Sequence, residues 1–262
     1  MTEPVLKEEP ILVAEHKGIL TVTFNRPRKK NALTHEMYTR LVEALEQAKA
    51  TARIRGVCFR GTGGCFCSGN DLADFLTNPP NSEESPVFRF LNGLIDFPKP
   101  LVAAVEGAAV GIGTTMLLHC DLVYASETAV FQMPFTRLAL CPEAASSFLL
   151  PRVIGLTRAS RLLLLGDSID ADTALNWGLI TELLSSDSFE AVLAQRLETL
   201  AALPPEAVRA AKALLREPLS GAAHDAVRRE ADLFAQRLAS EEAAEALQAF
   251  LERRPPDFGK FV

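Results

Sequence analysis

The sequence predicts an α/β domain followed by a helical tail, and three observations carry that reading. Apolar runs of strand length alternate with stretches of helical period up to about residue 183. Gly, Pro and Asn clusters punctuate those segments where strands would turn. Beyond that point breakers become sparse and Ala, Leu, Glu and Arg dominate.

The elements read in order. Ile11 to Glu15 and Ile19 to Phe24 form a hairpin around Lys17-Gly18, and Asn25-Arg26-Pro27 breaks the second strand. Thr34 caps a helix whose apolar positions Met37, Leu41, Leu45 and Ala48 follow a helical period. Arg55 to Phe59 is a short strand bounded by Gly61, Gly63 and Gly64. Thr77 to Pro86, rich in Pro, Asn, Ser and Glu, reads as a surface loop. Leu101 to Val105 and Asp121 to Ala125 are buried strands, separated by Gly107 to Gly113 and a helix containing Met116, Leu117 and Leu118. Phe189 to Leu203 and Pro205 to Leu215 are helices, the second opening on proline, and Ala222 to Phe250 continues the tail. We expect a core over residues 1–195 and a helical region over 196–262, whose apolar surface packs on the core or on a neighbouring subunit.

Composition narrows the function. A chain of 262 residues with 48% apolar and 23% charged residues is long enough to bury a large core without disulfide or metal. The net charge of -6 and the lack of a long basic run argue against a nucleic-acid partner. Apolar runs are interrupted well short of spanning length, for example by Glu106 and Arg137, so no membrane role is expected. Met1-Thr2-Glu3-Pro4 is polar and acidic, unlike a signal peptide, and the Gly259 to Val262 end is not the Ser-Lys-Leu peroxisomal address. These features lead us to expect a bacterial, cytoplasmic protein. The five cysteines, Cys58, Cys65, Cys67, Cys120 and Cys141, lack zinc spacing and read as reduced, buried thiols, so no metal is expected.

Two glycine turns carry chemistry. Ser68-Gly69-Asn70-Asp71-Leu72 and Gly111-Ile112-Gly113 each lead into a helix and offer backbone N–H groups there. Taken singly, each is ordinary strand-to-helix punctuation, and the second lacks the last glycine of a dinucleotide fingerprint. The other notable residue is Glu143, the only acid between Thr128 and Gly166, set in a largely apolar stretch. A carboxyl in that setting is either a paired structural group or a base with a raised pKa.

Together these motifs resemble a known family. Asn25-Arg26-Pro27 with Asn31-Ala32-Leu33, Ser68 to Leu72, Pro98-Lys99-Pro100-Leu101-Val102 with Gly107, Gly111, Asp121 and Ala174-Leu175-Asn176-Trp177-Gly178-Leu179 occur in an order similar to that of the crotonase, or enoyl-CoA hydratase/isomerase, superfamily. The resemblance implies a spiral of ββα turns with a C-terminal helical region that supports a homotrimer, or a hexamer built as a dimer of trimers. It implies an acyl-CoA thioester substrate and no cofactor beyond the coenzyme A that the substrate carries. By the same matching, the N–H groups of Asn70 and Ile112 would bind the thioester oxygen. Ser68, Gly69, Asn70, Asp71 and Leu72 would line the substrate path, with Gly111 opening the second turn. Arg28, Lys29 and Lys30 are candidates for the CoA phosphates, against the alternative of an exposed charge run.

The resemblance also sorts the reaction. Enoyl-CoA hydratases use two glutamates, and those family positions fall on Thr115 and Phe135 here. Leu140-Cys141-Pro142-Glu143-Ala144 instead looks like the catalytic segment of peroxisomal-type Δ3,Δ2-enoyl-CoA isomerases, and Phe24 to Pro27, Asp96 to Pro100 and Leu203-Pro204-Pro205 are similar to that group. The implied activity moves the double bond of a 3-enoyl-CoA to the trans-2 position, with Glu143 carrying the proton and Thr115, Met116, Phe135 and Leu140 forming its apolar shell. Plainer alternatives stand beside it. Glu143 can be a helix N-terminal acid after Pro142, or the partner of Arg137. The fold can also serve another acyl-CoA reaction, such as hydrolysis or decarboxylation, or non-catalytic CoA binding. Asp71, Asp74, Asp121 and His119 read as structural groups, and Trp177 as core.

Overall fold

A computed structural model describes residues 9–78, 82–252 and 254–261. Strands β1 (Ile11–His16) and β2 (Ile19–Phe24) pair as the expected antiparallel hairpin. Helix α1 (His35–Ala50) follows, with Thr34 accepting a hydrogen bond from the Met37 N–H at 3.3 Å. Next come β3 (Gly56–Gly61), α2 (Leu72–Thr77) and α3 (Pro86–Ile95). The expected loop from Thr77 to Pro86 is therefore flanked by two helices, and positions 79–81 lie outside the described residues.

Strands β4 (Leu101–Val105) and β5 (Ala108–Val110) lead to a single helical turn, α4 (Ile112–Thr115). The helix expected over Met116 to Leu118 is a 3-10 turn, Met116–His119. Strands β6 (Leu122–Ser126) and β7 (Val130–Gln132) precede helices α5 (Ser146–Ile154) and α6 (Leu156–Leu165). Then come β8 (Ser168–Asp170), α7 (Ala171–Trp177) and β9 (Glu182–Leu184), followed by α8 (Phe189–Ala202), α9 (Pro205–Leu238) and α10 (Glu241–Glu252).

The larger sheet has the order β1-β2-β3-β4-β6-β9 and is parallel from β2 onward. Its central strand β4 is buried throughout, as the apolar run Leu-Val-Ala-Ala-Val requires. The smaller sheet, β5-β7-β8, is extended by two isolated bridges, Cys67 to Ala109 and Leu33 to Asn70. Cys67, Ala109, Phe131 and Ile169 thus stack in one buried column through successive turns of the chain. This stack is the spiral that the sequence predicts, and its upper end carries both glycine turns.

The tail differs from the expectation at Pro218 and Gly221. These residues do not divide it: α9 runs unbroken for 34 residues. Packing against the core, not propensity, holds it through that point, since Ala223, Ala226 and Val227 belong to the main core. Residues 195 and 196, between which the helical region was expected to begin, both lie in α8. A polar cluster also ties α9 down. Asp121 accepts from the Leu101 N–H and pairs with Lys212 at 2.8 Å and Arg216 at 3.0 Å. Arg216 also donates to the carbonyls of Leu118 and Cys120. Asp121 is thereby the structural strand-end group it was expected to be. Among the described residues no helix is long and apolar enough to cross a membrane.

Candidate active site

The two glycine turns meet. The Cys67 N–H and C=O pair with Ala108 O and Val110 N at 3.0 and 2.8 Å, which lays the first turn alongside the second. Gly69 has φ of 101° and Gly111 φ of 56°, backbone states that an L side chain adopts at a cost. A Cβ on Gly111 would lie 3.8 Å from Gly69 Cα, and one on Gly69 would lie 3.3 Å from the Val110 carbonyl oxygen. The missing side chain at Gly69 lets that turn approach the Val110 carbonyl. Among the described residues, neither the Asn70 N–H nor the Ile112 N–H donates to a backbone acceptor.

The surrounding groups are fixed more firmly than the sequence indicates. Lys30 O accepts from the Ser68 N–H at 3.0 Å. Asp71 caps α2, as expected, and also pairs with Arg26 at 3.1 Å. It does not itself free the N–H groups of that helix for a ligand, and Asn70 stands one residue before the cap. The buried Tyr38 hydroxyl donates to Asn70 Oδ1 at 2.6 Å, a contact that sequence reasoning missed. Tyr38 sits beside Met37 on the buried face of α1, so it reads from sequence only as core.

A cavity of about 290 Å³ opens from Asn70 and Glu143. Phe75 of α2, Phe88 and Leu91 of α3, and Val227, Phe234 and Leu238 of α9 supply its apolar walls. Phe75 and Phe234 meet edge to face at 5.9 Å across it. Of the expected substrate-path residues, Asn70 reaches this cavity; Ser68, Gly69, Leu72 and Gly111 belong to the turns around it, and Thr115, Phe135 and Leu140 are buried behind it. The exposed Arg28 and Lys29 line a separate cleft with Arg26, Glu9 and Glu36, and Lys30 lies outside that cleft.

Glu143 is not a helix cap. It lies outside any helix or strand, with Ala144 and Ala145 in the left-handed conformation before α5 begins at Ser146. Two consecutive non-glycine residues in that conformation cost roughly 1–2 kcal/mol each, so the turn must be held from outside. The Thr115 hydroxyl donates to Glu143 Oε1. Burial pushes the Glu143 carboxyl up to about 8; the Thr115 bond opposes this, and the charge of Glu230 adds to it. Glu143 keeps some accessible surface, but it lines the cavity, where apolar walls dominate. Arg137 is not its partner; that guanidinium donates to Leu165 O and pairs with Asp167 at 3.0 Å.

Glu143 is isolated in sequence but not in space. Glu230 of α9 is buried beside the same segment and lines the same cavity. Nothing in the sequence separates it from the many acids of the tail. The buried His119 donates from Nε2 to Ala144 O at 2.8 Å, and burial lowers its pKa to about 4, which keeps it neutral. Met116 is fully buried, and Trp177 is partly buried against the core with Arg158 over its ring. All the cysteines but Cys141 are buried, and among the described residues no group of three metal-ligating side chains occurs.

The site has an apolar cavity lined by Asn70 and Glu143, with the Glu143 carboxyl pushed up to about 8, and beside it a second turn whose Ile112 lies outside the cavity lining. Comparison with known proteins places it. Over 251 residues the chain is 41% identical to enoyl-CoA delta isomerase 2 of Rattus norvegicus, covering 94% of this chain and 64% of that protein. It therefore spans a little under two thirds of that relative's length. It is 38% identical over 258 residues to enoyl-CoA delta isomerase 3, peroxisomal, of Mus musculus, covering 96% of this chain and 81% of the relative. A crystal structure of an enoyl-CoA hydratase/isomerase from Pseudoalteromonas atlantica superposes with a TM-score of 0.92 at 41% identity, covering 95% of this chain and 100% of that one. The enoyl-CoA hydratase/isomerase family pattern matches residues 14–260, and the chain belongs to that family, with its crotonase fold.

Proposed function

We propose that the protein is a Δ3,Δ2-enoyl-CoA isomerase of fatty-acid β-oxidation. The observation that carries this reading is Glu143: a carboxyl pushed up to about 8 by burial, in an apolar cavity that it shares with Asn70. The identity to enoyl-CoA delta isomerases supports the same reaction.

A 3-enoyl-CoA has an acidified C2 proton, flanked by thioester and alkene. Glu143 removes it as general base. The dienolate that forms carries negative charge on the thioester oxygen, between the N–H groups of Asn70 and Ile112. Each such donor stabilises a transition state of this kind by about 3 kcal/mol. Glu143, now protonated, returns the proton at C4, giving the conjugated trans-2-enoyl-CoA. No water is added, so one carboxyl serves both steps. Thr115 and Phe135 stand where a hydratase needs glutamates. Glu230 does not replace them, because its oxygens already accept from Ala145 and Ser147.

The cleft beside Arg28 and Lys29 is the proposed contact for the CoA phosphates, and Lys30 is a less direct candidate. Exposed leucines on α6 and α9, including Leu156 at 71% and Leu214 at 77% exposure, suit a homotrimer or a dimer of trimers. Sedimentation at several concentrations tests that assembly, and a monomer throughout would exclude it. Incubation with trans-3-hexenoyl-CoA, followed by absorbance of the conjugated thioester, tests the function. Conversion is expected. Release of free CoA without conversion would instead favour a hydrolase.

A further inference from the structure

Helix α9 does more than wall the cavity. It bears on the segment carrying Glu143 at three places. Glu230 accepts from the Ala145 N–H at 2.6 Å, from the Ser147 N–H at 2.9 Å and from the Ser147 hydroxyl. The Cys141 thiol donates to Glu230 O at 3.7 Å, and Arg237 donates to Ala139 O at 3.2 Å. These contacts flank Glu143 on both sides. Ala144 and Ala145, both at φ 58°, hold a conformation that neither residue favours unaided. Glu230, with His119 on Ala144 O, supplies the outside restraint.

We propose that Glu230 is a positioning residue of the proposed isomerisation: its carboxylate, reaching in from α9, holds the Ala144–Ala145 turn and so aims Glu143 at C2 and C4. This rests on the isomerase reading of the site. Three donors on two oxygens fit an ionised Glu230, which is therefore a clamp and not a second proton carrier.

The clamp also contributes to the field at Glu143, after burial and the Thr115 bond. Facing that carboxyl or its segment are Tyr38 from α1, Cys67 from the first turn, Thr115 from α4, Cys141 from the segment itself, His119 from the 3-10 turn, and Glu230 and Arg237 from α9. Burial keeps the Tyr38, Cys67 and Cys141 protons on, and keeps His119 neutral. Burial also pushes Glu230 up, while its donors from Ser147 and Ala145 oppose that. Glu230 is the acid whose charge raises Glu143, so removing the charge moves the Glu143 titration to lower pH.

The test is kcat and KM for trans-3-hexenoyl-CoA across pH in the parent, E230Q and E230D, with amide hydrogen exchange at residues 145 and 147. E230Q is expected to lose kcat on the order of 10²-fold, the scale of a misplaced catalytic group, with KM little changed and the rise of kcat/KM shifted to lower pH. E230D keeps the charge but shortens the reach, so it loses kcat without the shift. A lowered melting temperature in E230Q with kcat and pH profile unmoved would mark a purely structural residue and overturn the proposal. If E230Q does not fold, E230D decides: lowered kcat at an unmoved midpoint supports the clamp, and parental kcat overturns it. If the parent itself converts no 3-enoyl-CoA, the isomerase reading fails on its own. Exchange then judges the clamp alone: faster exchange at 145 and 147 in either variant supports it, and unchanged exchange refutes it.

Discussion

The two halves of the candidate site are built in different ways. The side with the glycine turns is backbone work. Cys67 pairs with Ala109, Lys30 O holds Ser68, and Gly69 abuts Gly111, all within the stacked spiral. The side that carries Glu143 depends on a strained turn held from far along the chain, with Ala145 bonded to Glu230 85 residues later. The contrast teaches where rigidity comes from. A parallel ladder fixes N–H directions through many small bonds, whereas an acid outside any helix or strand needs particular side chains to fix it. Substitutions on the first side should therefore lower the rate without moving its pH dependence. Those that change the charge or hydrogen bonding at Glu143 should move both.

The largest effect outside the two glutamates is expected at the turns. Gly111→Ala places a Cβ where φ is 56° and should swing the Ile112 N–H out of line. A loss of about 10²–10³-fold in kcat is expected, as for removal of one oxyanion donor, at an unchanged pH midpoint. A shifted midpoint would show that the two sides are coupled more tightly than the contrast allows.

Thr115→Val is expected to act next. Its hydroxyl favours the ionised Glu143, so its loss should move the rise of kcat/KM to higher pH than in the parent. That is opposite to the direction expected for E230Q. The rate should fall by roughly tenfold, equivalent to about 1.5 kcal/mol for a hydrogen bond to a charged group. A shift to lower pH would contradict the assignment of Thr115 as donor.

Tyr38→Phe removes only the bond to the Asn70 side chain and leaves the Asn70 N–H in place. A cost of about 1 kcal/mol, or roughly fivefold in kcat, is expected. The last effect concerns stability, not rate. Glu143 has a folded pKa raised from 4.5 to about 8, so the stability it contributes is full below its unfolded pKa and is lost as pH rises through about 8. Glu143→Gln should therefore melt higher than the parent above pH 8, with the gap closing toward acid pH. An equal melting temperature at all pH values would mean that the carboxyl is better solvated than its surroundings suggest.

The same division explains what the sequence made legible. The hairpin, the Thr34 cap and the strand after Pro100 follow from local pattern and stand as expected. The meeting of the two turns was legible only through the family resemblance, because it rests on the distant pairing of Cys67 with Ala109. Glu230 was hidden because it is one acid on a helix of 34 residues, and only tertiary packing turns that face toward Ala145. Continuity of α9 through Pro218 was missed for the same reason: local propensity argues for a break, and packing on the core overrides it. Tyr38 was hidden differently, as a polar tip on a residue whose ring reads as core.

The central claim is that Glu143 alone moves the proton. The most direct measurement is turnover of trans-3-hexenoyl-CoA by Glu143→Gln, with binding of a saturated acyl-CoA measured on the same sample. The account predicts binding near the parental value and turnover reduced by about 10²–10⁴-fold, the usual worth of a positioned acid-base group. Turnover close to that of the parent, with binding intact, would contradict it.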